Sequence, residues 1–303
     1  MKFLKGLVLS LLSFLLFLSL SIFGIAFTIN STILNPDFVV SEVEKIDVSS
    51  LTRELVEEQI GEQLPQEVGF IKEAVYKVIS EQEPWLKEQV NAAVYSGYDF
   101  LLGKSERLAL VISLEPLKEN LRDSILQAFI QSLPAQLSGL PQAQIDQYFD
   151  EFYQQIAGQI PSEFEVDESF VPPEIMAQII QARQAVDYFR VGYQALIGFM
   201  VLLVLGIILI NRDVKSITRG LGVTFLGYGA IEYAGIFAAK HFVPTRLPLS
   251  EIAQIPSSLQ AWLLGLYADL LTPLETFSLG CLVGGVVLLA VSFIYRGRKT
   301  EEW

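Results

Sequence analysis

Among 303 residues there is a single cysteine, Cys281, and a single histidine, His241. A disulfide within the chain is excluded, and so are a thiolate cluster and any metal site built on several histidines. Signatures of common chemistry are missing as well. No Gly-x-x-x-x-Gly-Lys-Ser/Thr loop is present to cradle phosphates, and there is no Gly-x-Ser-x-Gly, no His-Glu-x-x-His and no Asp-x-Asn-x-Asp-Gly calcium loop. The sequence therefore predicts no catalytic residue, no cofactor and no metal, and a protein that is not an enzyme. An extracytoplasmic domain held by its core alone, without disulfides, is unusual for a eukaryotic secreted domain and compatible with a prokaryotic chain.

Charge is also nearly missing from four stretches, and these organise the rest. Leu7–Phe27 is 21 residues long, whereas a cleavable signal has an apolar core of only ~7–15. It is expected to stay as a signal anchor behind a cytoplasmic N-terminus, residues 1–6. Val191–Ile210, Gly220–Ala239 and Leu274–Tyr295 are each close to the ~20 apolar residues that cross a bilayer. Basic residues orient them. Lys2 and Lys5 precede the first stretch, Arg212, Lys215 and Arg219 lie in the turn 211–219, and Arg296, Arg298 and Lys299 lie in the tail 296–303. Only Lys240 and Arg246 sit in the short segment on the other side. The positive-inside rule then predicts a multi-pass protein of the plasma membrane with both termini cytoplasmic.

Residues 28–190 would lie outside. They carry a net charge of −16, against +3 for the remainder. Such a domain repels nucleic acid and anionic lipid headgroups, so neither is an expected partner of it. Proline and apolar spacing predict a mostly helical domain. One helix runs through Leu51, Leu55, Val56 and Ile60, another starts at Pro65, and a third starts at Pro84 and ends at Gly103. Pro116 opens a helix that stops before Pro134, a turn follows at 138–141, and 142–160 is helical again through Ile145, Phe149, Phe152 and Ile156. Arg107–Leu114 is the one β-like run, and it could equally be a buried turn of helix. Pro161–Val171 reads as an acidic, irregular loop. From Pro173 a single helix is expected to continue into the span 191–210, since no proline follows until Pro244. Ile175, Ile179, Ala182, Val186, Phe189 and Tyr193 form a seam along it.

Segment 240–273 is read as a loop followed by an amphipathic helix, 257–271, at the outer headgroup level. Ser257 and Gln260 suggest a capping box, and Trp262 and Tyr267 are interfacial anchors. Thr272-Pro273-Leu274-Glu275 suggests a second capping box, which would start the fourth span.

Glu232 is the candidate functional residue. It lies roughly 10 Å inside the third span, counted along the helix, where an acid is costly unless paired or protonated. It would serve as a proton or cation site or touch a substrate; structurally, it would hydrogen-bond a tyrosine such as Tyr228 or Tyr233, or reach the interface. Gly280 and Gly284 in the fourth span, and Ala230, Ala234 and Ala238 in the third, are small-residue rows for helix packing or for a homo-oligomer. The clusters Glu163, Glu165, Asp167, Glu168 and Asp146, Asp150, Glu151 are read as a solvated acidic face.

The layout of one span, a large outer domain and three further spans resembles the permease subunits of macrolide-exporter-type ABC systems. The resemblance lies in topology and covers no sequence motif. It implies a transport subunit working with a separate ATPase, docked by the basic turn Arg212–Arg219. From the residues themselves the expectation is different: a mainly α, non-catalytic membrane protein whose outer domain is a scaffold or sensor for another protein or a ligand, with the bilayer as its other partner.

Overall fold

Helices dominate the computed structural model, which describes residues 2–51, 54, 69–116, 118, 120, 122–123, 126–127, 141, 147, 149–150, 153, 161–167, 171–211, 213–245 and 256–294. Its principal elements are α1 (Lys2–Ser31), α2 (Pro36–Glu44), α3 (Gly69–Leu101), β1 (Ala109–Ser113), β2 (Glu163–Asp167), α4 (Pro173–Asn211), α5 (Val214–Phe242) and α6 (Ser257–Ile294). Four of them, α1, α4, α5 and α6, are long and apolar enough to cross a membrane. The chain divides into two units, Met1–Val39 with Gln184–Ala253 and Ala261–Trp303, and Val40–Arg183 with Gln254–Gln260.

In the first unit the apolar helices share one core. Leu16 and Leu20 of α1, Leu203 and Ile207 of α4, Leu221 and Tyr228 of α5 and Cys281 of α6 are its buried members. Each helix exposes many other large apolar side chains, such as Leu11, Val201, Leu209 and Val287. A helix apolar all round needs an apolar solvent for the faces its neighbours leave uncovered. Helix α4 is unbroken from Pro173 to Asn211. Gly192 and Gly198 do not interrupt it, and an added Cβ at either would meet no atom within 4 Å. Of its seam, Val186 is buried, Phe189 and Tyr193 are half-buried, and Ile175 and Ala182 are exposed. Tyr193 stacks on Phe189 and on Phe23 of α1, with ring centroids 6.0 and 5.4 Å away. Helix α5 begins at Val214, inside the expected turn 211–219, because Asp213 caps it by accepting the Ser216 N–H at 3.1 Å.

The fourth span needs a correction. Pro273 does not open a helix; α6 runs continuously from Ser257 to Ile294 with Pro273 inside it. No Thr272–Glu275 capping box forms, because both side chains are used otherwise. The Thr272 hydroxyl donates to Ala268 O one turn back at 3.1 Å, and Glu275 accepts from Lys240 of α5. The segments expected as an interfacial helix and a fourth span are therefore one continuous helix, with a missing backbone hydrogen bond at Pro273.

The second unit shows the same behaviour. Pro84 does not start a helix but lies inside α3. An interior proline costs ~3 kcal/mol, and here side chains brace the turn around it. Glu83 pairs with Lys87 across Pro84 at 2.8 Å, and the Ser49 hydroxyl donates to Glu83 at 2.5 Å. The donors at Lys87 and Ser49 hold the Glu83 carboxyl below its ordinary range. Gly103 ends α3 with φ at +72°, and Lys104 N donates to Asp99 O at 2.8 Å, a left-handed helix stop that only glycine takes without strain. The Arg183 guanidinium lies 5.0 Å above the Phe100 ring beside this stop.

The acidic loop is the second correction. Glu163–Asp167 is a strand, paired antiparallel with Ala109–Ser113 in a two-stranded sheet. Its order Glu-Phe-Glu-Val-Asp alternates polar and apolar residues, which is the period of a pleated strand. The β-like reading of 107–114 holds for Ala109–Ser113. Where described, 115–127 and 147–153 are helical; Phe149 is fully buried and stacks on Tyr153 at 5.9 Å. The expected helices through Leu55–Ile60 and from Pro65, the turn at 138–140, the positions Ile145, Phe152 and Ile156, the loop 246–255 and the tail 296–303 lie outside the described residues.

Candidate functional site

Tyr228, a turn before Glu232 on α5, is the centre of the first unit. Its side chain is 1% exposed. Phe17 of α1 meets it edge-on, with centroids 6.0 Å apart, and Phe277 of α6 lies 5.8 Å away. Phe23 joins from α1, 5.2 Å from Phe277. The Tyr228 hydroxyl is directed at Gly24 of α1, where any Cβ would collide with it. Here a glycine is required by close approach, not by its own backbone angle. The hydroxyl is fully buried and has no hydrogen-bond partner among the described residues, an arrangement that costs ~1–3 kcal/mol.

Glu232 itself is half-buried. The expected hydrogen bond to Tyr228 is not made, since that ring is turned into the aromatic group and its hydroxyl points across to α1. Nor does Tyr233 bond to Glu232 among the described residues. The carboxylate thus stands one turn above a buried, unpartnered hydroxyl in an apolar helix.

Toward the C-terminal end of α5 the side chains pair. The Lys240 ammonium bonds Glu275 of α6 and lies 3.4 Å from the Thr272 hydroxyl. The Tyr267 hydroxyl donates to Ala239 O at 3.3 Å. Tyr267 and Trp262 are both half-buried. His241 keeps Nδ1 2.9 Å from Phe237 O, and its ring lies 4.2 Å from that of Phe237. Two helices are thereby joined beside the proline of α6. Sequence reading placed Lys240 among the basic residues of the outer segment and Glu275 in a cap, and so missed their pairing.

Close packing of α5 on α6 falls on small residues other than those singled out. Nothing lies within 4 Å of a Cβ added at Gly280 or Gly284. Ala230 and Ala234 are exposed and Ala238 is half-buried. The contacts instead run through Gly222, Gly229 and Gly285. A Cβ at Gly229 would lie 2.6 Å from Leu282 N and Ser278 O, and one at Gly285 would lie 2.5 Å from Leu226 N. Gly222 and Gly229 are seven residues apart, as are Ser278, Gly285 and Ser292, the repeat of two helices wound about each other. Ser278 and Ser292 are buried, and the Ser292 hydroxyl donates to Lys215 O of α5 at 3.2 Å.

The chain matches no family model. No curated protein and no solved structure shows significant similarity either. The site must therefore be read from its own chemistry. Among the described residues no group of His, Cys, Asp and Glu could hold a metal ion. Cys281 is buried in the helix core. Of the acidic clusters, Asp150 pairs with Arg122 at 2.7 Å and Glu163 and Glu165 are exposed, while Asp146, Glu151 and Glu168 lie outside the described residues.

Proposed function

We propose that the chain is a non-catalytic, multi-pass protein of the cell membrane, with both termini cytoplasmic and residues 28–190 outside. That acidic, helical domain binds a partner protein as a scaffold or sensor. The observation that carries this reading is the division of the chain into one unit with four apolar membrane-length helices and another, Val40–Arg183 with Gln254–Gln260, that holds the acidic excess. Among the described residues, the unit with the apolar helices shows no cluster of His, Cys, Asp and Glu that could hold a metal ion. Its buried centre is aromatic.

Orientation is tested by single cysteines in a Cys281→Ser background. Cysteines at Gln142 and Ser257 are expected to react with an impermeant maleimide on intact cells, and one at Ser216 only after permeabilisation. Labelling of Ser216 from outside would invert the topology and remove the outer domain with it.

A second reading, a transport subunit with a separate ATPase, is favoured by the unpaired position of Glu232. Under the scaffold reading, Glu232→Gln keeps expression, melting temperature and phenotype, because the amide keeps the size of the side chain and removes only a charge that is costly in lipid. A Gln variant that folds and localises normally yet has the phenotype of a deletion, with Glu232→Asp partly active, would decide for transport.

A further inference from the structure

The two-stranded sheet of the second unit has unequal edges. Leu114 N donates to Ser162 O at 2.8 Å, which fixes the ladder's parity together with the register Ser113↔Glu163, Ile112↔Phe164 and Val111↔Glu165. In an antiparallel pair, hydrogen-bonded and non-hydrogen-bonded positions alternate. Ser113↔Glu163 and Val111↔Glu165 are therefore the non-bonded pairs, so the N–H and C=O of Glu163 and Glu165 point away from β1. On the β1 side the corresponding outward carbonyl, Ala109 O, is taken by the Ser96 hydroxyl of α3 at 2.8 Å. Among the described residues nothing takes the outward groups of Glu163 and Glu165.

An open edge of this kind is a template for another strand. We propose that the free edge of β2 is the partner-binding surface of the outer domain, and that it takes an extended segment with basic residues at alternate positions and apolar residues between them. The proposal rests on the scaffold reading and names its partner chemistry. Parity selects the occupant. The side chains of Glu163 and Glu165 lie on one face of the sheet and are exposed, beside Val111, which is 53% exposed. Phe164, 39% exposed, lies on the other. A strand laid against this edge puts alternate side chains beside the two carboxylates and the intervening one beside Phe164. Opposite charges across strands stabilise such a pair, and like charges oppose it. The same charges explain how an edge left open avoids pairing with another copy of itself, since two β2 edges would set glutamates against glutamates.

The test uses the full chain in nanodiscs of phosphatidylcholine, which gives a basic peptide no anionic lipid. The probe is a capped, fluorescent hexapeptide of alternating lysine and valine. Controls are a peptide of the same composition with three lysines followed by three valines, and the alternating peptide N-methylated at alternate residues. The alternating peptide is expected to bind at least tenfold more tightly than either control, and its isotope-labelled carbonyls to shift to the β-sheet infrared band on binding. Glu163→Lys with Glu165→Lys should weaken it at least tenfold at unchanged melting temperature, whereas Glu174→Lys, on α4, should not. Equal affinity for the block peptide, indifference to N-methylation, or no binding would overturn the proposal; the peptide controls use the unaltered protein and so do not depend on how the variants fold.

Failure of the broader reading is separable. In cells, photo-crosslinking from Val90 or Tyr95 that survives Glu163→Lys with Glu165→Lys, combined with no peptide binding, would place the partner elsewhere on the outer domain and sink only the edge. Absence of crosslinks from every outer-domain position would sink the scaffold reading as well.

Discussion

Gly285→Ala is expected to lower the melting temperature of the purified protein by on the order of 5 °C, while Gly284→Ala beside it changes nothing measurable. The added methyl at Gly285 would lie 2.5 Å from Leu226 N and 2.8 Å from Leu226 Cα. Both are backbone atoms, so no side chain can rotate out of the way, and α5 and α6 must move apart. In lipid, close backbone approach is a main source of helix association, because the solvent is as apolar as the side chains. Separating the helices would also loosen the Ser292–Lys215 contact. At Gly284 the methyl meets no atom within 4 Å. The check is thermal unfolding in detergent for both variants, with Gly229→Ala as a third. Equal stability of Gly285→Ala and Gly284→Ala would show that the helices do not cross where Gly285 and Leu226 meet.

Tyr228 provides the other large effect, and here two variants should move in opposite directions. Tyr228→Ala removes the ring that Phe17 of α1 and Phe277 of α6 pack against. Loss of a buried aromatic typically costs ~3–5 kcal/mol, so this variant is expected to unfold far below the unaltered protein or to fail to accumulate. Tyr228→Phe keeps the ring and removes a buried hydroxyl that has no partner among the described residues, and should be neutral or stabilising. Denaturation of both in one detergent, with expression of each in the membrane fraction, measures the contrast. A strongly destabilised or inactive Phe variant would mean that the hydroxyl has a working partner, and would turn attention back to the carboxylate one turn above it.

The corrections at Pro84 and Pro273 share one cause. Pro84 and Pro273 read as helix starts because an isolated proline has no N–H to place in a helix. Both instead lie inside helices, bridged by contacts that a linear pattern does not display: Glu83 with Lys87 and Ser49 around the first, Glu275 with Lys240 beside the second. Strand β2 is a different case. Its period-two alternation was legible in Glu163–Asp167, and the acidity of the segment outweighed it. The parity that leaves the Glu163 and Glu165 backbone groups unpaired was not legible, since it depends on which residue of β1 stands opposite.

The sequence by itself determined the presence of four long apolar helices, the continuity of α4, the stop at Gly103 and the separation of acidic from apolar chain. These depend on neighbours within a turn or on sums over a window, so they can be read along the chain. Tertiary structure decided which faces meet. Helix α6 carries Ser278, Gly280, Cys281, Gly284 and Gly285 on one broad face, and such a face presents more than one row along which a neighbour could pack. Only the crossing with Gly222 and Gly229 of α5 selects Gly285 and leaves Gly280 and Gly284 unused. The same holds for the functional candidates. Glu232 was visible as an acid in an apolar run, but Tyr228 became the centre because three helices converge on it, with Gly24, Phe17 and Phe277 closing around its ring. Close packing is a relation between distant residues, and no periodicity within a single helix contains it.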